Sequence, residues 1–370
     1  MPTCTGKCNI CRFSVGPRSV PVTLSNIFID EKEGKFMSQW IAWHPGVSAV
    51  PLLMLFFLVV LPAQEKSPNY QFTPVLHSVS YLGVWRGQAQ LTLDQFLAKA
   101  KELGFSHVEI VAKRPHLAPL DYDAEARKQL KARMQELGIK PVCLAGYPDF
   151  AAGLEKPGIP GAEINAVYVG ELARLARDLD CPYVRVFTGY ERPGVPFDAQ
   201  WAAVVQGLKM ASRKAAEYGI TLVVQNHHDI AIHPDATYWL IKEVNEPNCK
   251  AAFDAWSPAL QGINGSELAE AVAKMAPLMV YTTVADYVKQ PRYRYDSTIT
   301  NYIRQEDVVR AVPFGKGFID YKSFFDALKR VGYRGYVAYE MCEVLEGGGS
   351  VENLDRTARV FLEKFRELTQ

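Results

Sequence analysis

Glu102-Leu103-Gly104 runs into His107-Val108-Glu109-Ile110-Val111, and the same step recurs down the chain. Glu136-Leu137-Gly138 precedes Pro141-Val142-Cys143-Leu144, and Tyr218-Gly219 precedes Thr221-Leu222-Val223-Val224. Val331-Gly332 precedes Tyr336-Val337-Ala338-Tyr339, and Asp180-Cys181 does the same before Tyr183-Val184-Arg185-Val186-Phe187. A glycine just past a helix takes the left-handed conformation that closes the last turn. The preceding segments carry the helical period: Trp201, Val204, Val205, Leu208, Ala211 and Ala215 share one face. Thr92 with Gln95 reads as a capping box opening the first helix. Short apolar strands alternating with amphipathic helices predict a parallel sheet buried on both faces. Strand candidates fall near 75–80, 107–111, 140–145, 183–187, 221–225, 250–254, 279–284 and 335–340. Eight such units over residues 72–370 fit a single-domain (β/α)8 TIM barrel. A doubly wound open sheet is the alternative. It needs fewer strands and usually a glycine-rich phosphate loop after the first, whereas Gly347-Gly348-Gly349 follows the last strand.

Composition excludes other classes. The chain has 370 residues, 48% of them hydrophobic and 22% charged, which rules out disorder and a stapled mini-protein. A net charge of +1 without a basic cluster argues against nucleic acid as partner. Seven cysteines are too sparse for a disulfide scaffold. Cys143, Cys181, Cys249 and Cys342 fall in or beside strands and read as buried small hydrophobes.

The N-terminal residues do not read as barrel. Residues 47–60 are almost unbroken apolar sequence, too short for a comfortable membrane span and suited to a secretory signal. Residues 37–63 are therefore expected to be a signal peptide cleaved after Ala63, or a retained anchor. Export to the periplasm or medium follows, with anchoring through residues 47–60 as the alternative; a cleaved chain keeps no stable membrane span. Met37 is the better initiator, so residues 1–36 read as a non-native or disordered extension, and residues 64–71 as a linker. Cys4, Cys8 and Cys11 share the C-x3-C-x2-C spacing of radical S-adenosylmethionine enzymes, but lie far upstream of the first strand.

In a TIM barrel, chemistry sits at the C-terminal strand ends. Gln225-Asn226-His227-His228-Asp229 cannot all be core; the run reads as a site or as a solvated loop capping the next helix. Asp254 follows an apolar strand as a cap or a ligand, with Trp256 beside it. Thr282, Thr283 and Asp286 close the seventh strand. Glu340 follows a buried strand, where a carboxylate needs a cation, a hydrogen-bond network or a catalytic duty. Glu109 faces either the barrel interior or the helices, and His77 reads as a core histidine or a ligand.

These features together resemble the xylose isomerase-like TIM barrel superfamily of sugar isomerases and epimerases. The resemblance spans residues 75–368. It rests on Val108-Glu109-Ile110, Arg185-Val186-Phe187, the 225–229 run, Phe253 to Pro258, Ala285-Asp286-Tyr287, Gly317 to Tyr321 and Tyr339 to Glu343. It implies one divalent metal held by Glu, Asp, His and Glu at successive strand ends. By position these fall on Gln225, Asp254, Thr283 (Thr282 neighbouring) and Glu340, so two ligands are changed. A metal here is expected to bind more weakly than the family norm, with manganese favoured and magnesium or zinc as alternatives.

Sugar isomerisation needs a base beside a carbonyl and a cation for the enediolate. The expected site is then Glu340 and His228 as catalytic groups, and Gln225, Asp254 and Glu340 around the metal. His77, Glu109, Asn226, His227, Trp256 and Asp286 are expected to bind substrate. The substrate is expected to be a small non-phosphorylated sugar or keto-sugar, and an oligomer is compatible with the sequence. A keto-glycoside lyase on the same site is an alternative, as is an inactive sugar-binding barrel.

Overall fold

Eight strands form one closed ring in which every pairing is parallel. They are β1 (Gln71–His77), β2 (His107–Val111), β3 (Lys140–Ala145), β4 (Tyr183–Val186), β5 (Thr221–Gln225), β6 (Cys249–Ala252), β7 (Met279–Val284) and β10 (Arg334–Tyr339). The last strand closes onto the first, with Leu76 opposite Tyr339. A hairpin of β8 (Tyr287–Asp296) and β9 (Asn301–Ala311) separates β7 from β10. The expected TIM barrel is what forms. The computed structural model describes residues 69–156 and 158–370. The segments expected at 1–36 and 37–63, most of the 64–71 linker, and Cys4, Cys8 and Cys11 lie outside the described residues. Among the described residues, no helix is long and apolar enough to cross a membrane.

Local signals act as the sequence predicts. Thr92 caps α1 (Leu93–Leu103): its hydroxyl accepts from the Gln95 amide at 3.3 Å, and Gln95 Oε1 accepts from the Thr92 amide at 2.9 Å. Gly104 ends the helix at φ +91°. Asp180 occupies the equivalent place before β4 at φ +56°, a conformation Asp tolerates better than most residues. On α4 (Phe197–Ala216), Val204, Val205, Leu208, Ala211 and Ala215 are buried as one stripe, with Trp201 at its margin.

The barrel holds two cores. Inside the ring, small residues (Val75, Val142, Val223, Ala252, Ala338) interdigitate with Tyr281. Tyr183 and Tyr336 reach Tyr281 with ring centroids 5.9 and 6.2 Å away. Alternating small and large side chains fill the interior, so the barrel is plugged and has no pore. Outside the ring, the strands pack on the helices. Phe361 of α9 (Val351–Thr369) stacks on Tyr339 of β10 at 4.4 Å, their planes 2° apart.

The hairpin departs from expectation. Pro291-Arg292-Tyr293-Arg294-Tyr295 reads from sequence as a loop that lines the mouth or lies in solvent; it is part of a ten-residue strand. Both faces of the hairpin are largely exposed, so its sequence lacks the apolar alternation that marks a half-buried strand. Its pairing shifts between Gln290 and Arg292, placing Pro291 at an irregularity where no amide is needed.

Phe361→Ala should destabilise the full chain by about 3–5 kcal/mol, the cost of emptying a well-packed aromatic site. Tyr302→Ala, on the exposed hairpin, should stay within about 0.5 kcal/mol. Urea unfolding measures both, and near-equal midpoints would contradict the packing described.

Candidate active site

His77 ends β1 and Glu109 lies opposite it on β2, both facing into the barrel above the tyrosine layer. Arg185, from the middle of β4, joins them: its Nε lies 3.3 Å from Glu109 Oε1. Tyr281 donates its hydroxyl to Glu109 Oε2 at 2.9 Å. Glu109 is 0% and Arg185 2% exposed, so each charge depends on the other. Burial disfavours the Arg185 charge, but Tyr147, Glu109 and Glu340 hold its pKa above the ordinary value. The guanidinium also lies 4.1 Å from the Phe187 ring centroid. Its Nη1 is buried without a hydrogen-bond partner.

Glu340 follows β10 at once and turns into the mouth. Trp256 Nε1 donates to its Oε1 at 3.1 Å, and His77 Nε2 lies 3.8 Å from its Oε2. Burial raises the Glu340 pKa to about 8; Arg185 pulls it down, while Glu109 and Asp254 push it up. His77 Nδ1 accepts the Val79 amide at 3.3 Å, which puts the proton of the neutral ring on Nε2, toward Glu109 and Glu340. Burial lowers the His77 pKa to about 4, so the ring is neutral at physiological pH.

Asp254 is fully buried one step behind Glu340. Its Oδ2 accepts from Gln225 Nε2 at 2.9 Å, and its Oδ1 from the Ser257 amide at 2.7 Å. Burial carries its pKa to about 7 against these donors. Asn226 clamps the Asp254 backbone, accepting its N–H at 2.8 Å and donating to its carbonyl at 3.2 Å. Asp286 is similarly occupied: the Gly315 and Gly317 amides donate to one oxygen at 2.9 and 2.8 Å, and the Tyr287 amide to the other. Gly317 has no room for a Cβ against Asp286 and the Tyr287 carbonyl. Asp286 thus anchors the hairpin base and does not line the cavity.

A cavity of about 260 Å³ opens above this layer. Of the expected residues, it brings together Gln225, His227, His228, Trp256 and Glu340. His77, Glu109 and Asp254 support the cavity from beneath or beside it, and Asn226 braces the backbone. His227 and His228 are pushed down to about 3 and about 4 by burial, and are neutral rings. His228 stacks on Phe187 at 4.2 Å. Sequence reasoning gave no role to several lining residues, among them Arg185, Lys113, Tyr147 and Cys342. Arg185 carried a usable signal, a charge inside a strand buried on both faces. Cys342 is half-buried at the cavity, which corrects its reading as a plain core residue.

The expected metal ligands do not fit a divalent ion as arranged. Gln225 points its amide nitrogen at Asp254, and Ser257 donates to the same carboxylate. Thr282 donates to the Phe253 carbonyl at 2.6 Å, and Thr283 brings a hydroxyl in place of an imidazole. Among the described residues, no three His, Cys, Asp or Glu side chains converge closely enough to hold a metal ion.

The description "xylose isomerase-like TIM barrel" matches residues 97–364, most of the barrel. The chain belongs to that family. It is 26% identical over 280 residues to the 2-oxo-tetronate isomerase of Haemophilus influenzae, covering 71% of this chain and 91% of that protein. It is 26% identical over 262 residues to a putative L-ribulose-5-phosphate 3-epimerase of Escherichia coli, covering 68% and 84%. Among solved structures it superposes on a D-psicose 3-epimerase of Clostridium cellulolyticum with D-tagatose (TM-score 0.62, 15% identity, 80% of this chain, 99% of that one). A xylose isomerase domain protein of Planctomyces limnophilus gives a TM-score of 0.55 at 16% identity, over 82% and 98%. The expected enzyme class, sugar isomerase or epimerase, agrees with these relatives.

Arg185→Met should cost about 3–5 kcal/mol, because it leaves Glu109 buried and unpaired. Adding Glu109→Gln should recover most of that loss. Thermal melts of both variants check it; a double variant no better than the single one would contradict the mutual dependence.

Proposed function

We propose that this chain is a sugar isomerase acting on an open-chain keto-sugar or aldose of monosaccharide size, with Glu340 moving the proton. The observation that supports this best is Glu340 itself: a carboxyl at the cavity wall, held near pKa 8, beside a buried guanidinium. A base near the working pH is effective in both directions of a proton transfer. Ionised Glu340 takes the proton from the carbon beside the carbonyl. Negative charge grows on the two sugar oxygens as the enediolate forms, and Arg185 lies near enough to Glu340 to lower its pKa. Glu340 then returns the proton to the neighbouring carbon, while the hydroxyl proton passes between the two adjacent sugar oxygens, so that the carbonyl shifts by one carbon. Trp256 Nε1 orients the carboxyl through this cycle. Trp85, Trp256 and Phe187 offer flat surfaces for the sugar carbons. A cavity of about 260 Å³ is small for a ligand site, which favours a monosaccharide.

Isomerisation is favoured over epimerisation because, among the described residues, Glu340 is the one carboxyl side chain lining the cavity. Epimerisation on opposite faces needs a second acid, and neutral His227 and His228 are poor proton donors at pH 7. In this reading His228 binds substrate rather than carrying the proton, and no step passes through a metal. A divalent ion (manganese, magnesium or zinc) is the competing reading; Gln225, Asp254 and Glu340 would hold it and it would stabilise the enediolate, but the Gln225 amide would first have to turn its oxygen inward.

Exchange in heavy water tests the reading. Ketoses and aldoses of four to six carbons should gain deuterium beside the carbonyl, and Glu340→Gln should slow this by at least about 10²-fold. The rate should rise with pH up to about 8 and then level, because the base is the ionised form. Undiminished exchange in Glu340→Gln would remove Glu340 from the mechanism; release of an alcohol with no isomer formed would identify a lyase. Exchange measured with EDTA and with each metal added decides the competing reading. Export belongs to the same proposal. N-terminal sequencing of protein from the periplasm or medium should begin at Gln64, and an intact N-terminus there would contradict cleavage.

A further inference from the structure

Two cations meet at the cavity wall, and neither has a full set of polar partners. Arg185 gives Nε to Glu109 and keeps a buried Nη1 with no partner. Lys113, just past β2, places its Nζ 3.8 Å from the Tyr147 ring centroid. The Arg185 guanidinium lies 5.2 Å from that same centroid. Among the described residues, no carboxylate pairs with Lys113. Partial desolvation of the otherwise exposed Lys113 ammonium and the neighbouring Arg185 both lower its pKa, as expected for a rim cation beside another. With Arg185 matched by Glu109, the charge of Lys113 is left over. A ring face attracts a cation more weakly than an anion does.

We propose that Lys113 and Arg185, gathered on the Tyr147 ring, form an oxyanion site that selects an anionic sugar, and that they do so without a divalent ion. The anion is a carboxylate or a phosphate on the sugar chain. Lys113 at the rim meets the anionic group. The free Nη1 of Arg185 faces the oxygens at the reacting end. The cationic field that the altered Gln225 and Thr283 positions, with Asp254 already taken up by Gln225 and Ser257, fail to assemble around a metal is thereby supplied by side chains. The inference rests on the isomerase reading only for where the reacting carbon sits.

Calorimetric titration of the EDTA-treated full chain tests this with matched pairs: D-gluconate against D-glucitol, and D-ribulose 5-phosphate against D-ribulose. At least one charged partner should bind about tenfold tighter or better than its neutral counterpart. The pair that shows the preference tells carboxylate from phosphate. Lys113→Met should erase most of the preference while leaving the neutral sugar's affinity in place; Lys113 is exposed, so this variant should keep the parent melting temperature. Arg185→Lys, which keeps the charge and loses the fork, should weaken the charged ligand as well. Equal binding of charged and neutral partners overturns the proposal. So does a preference that survives Lys113→Met, or one that appears only when manganese is restored. Charge-selective binding with no proton exchange on any sugar would end the isomerase reading and leave the oxyanion site standing. Exchange on neutral ketoses without charge preference would do the reverse.

Discussion

A guanidinium and a carboxylate sealed inside the barrel set the character of everything above them. Arg185 on β4 and Glu109 on β2 are fixed on either side of β3, and neither reaches solvent. Two charges in such a place are tolerable only together. Their pairing holds a positive centre in position before any substrate arrives, and the surrounding rings cannot move far without breaking it. Tyr281 completes the pair from β7, so three strands at separate positions in the ring share one polar layer. Below that layer the barrel is apolar and plugged; above it lies the cavity.

The same layer explains the unusual state of the acids. Glu340 and Asp254 are carboxyls in a dry environment, and both are pushed toward neutral pH. They differ in what they do there. Asp254 is taken up by Gln225 and Ser257 and holds the ends of β5 and β6 together. Glu340 keeps an oxygen near His77 and faces the cavity. Structure and reactivity are thus divided between two residues that sequence alone would treat alike.

Much of the barrel was legible because its cause is local. Glycines after helices, a Thr92–Gln95 box and short apolar strands each act within a few residues. Glu340 and Asp254 were legible as acids stranded at the ends of buried strands. The strength of Arg185 was not, because which side of a four-residue strand faces inward depends on register with β3 and β5. Lys113 and Tyr147 follow β2 and β3, and the pairing of those two strands, with Val111 opposite Ala145, brings them together. Asp286 looked like a ligand because its partners, the Gly315 and Gly317 amides, arrive from beyond the whole hairpin. The hairpin itself escaped because exposed strands carry no burial pattern.

That Asp286 clasp separates the architecture of the chain from its ornament. The carboxylate ties both ends of residues 287–311 at the barrel rim, so the excursion leaves and re-enters at almost one point. A segment attached in this way is topologically a pendant. The exposed Tyr293, Tyr295 and Tyr302 toward its far end do not bear on how β7 hands the chain to α8 (Tyr321–Arg330) and β10, whereas Arg310 at its base pairs with Glu343. The rim of this barrel is therefore a place where evolution can trade appendages while the machinery underneath stays the same.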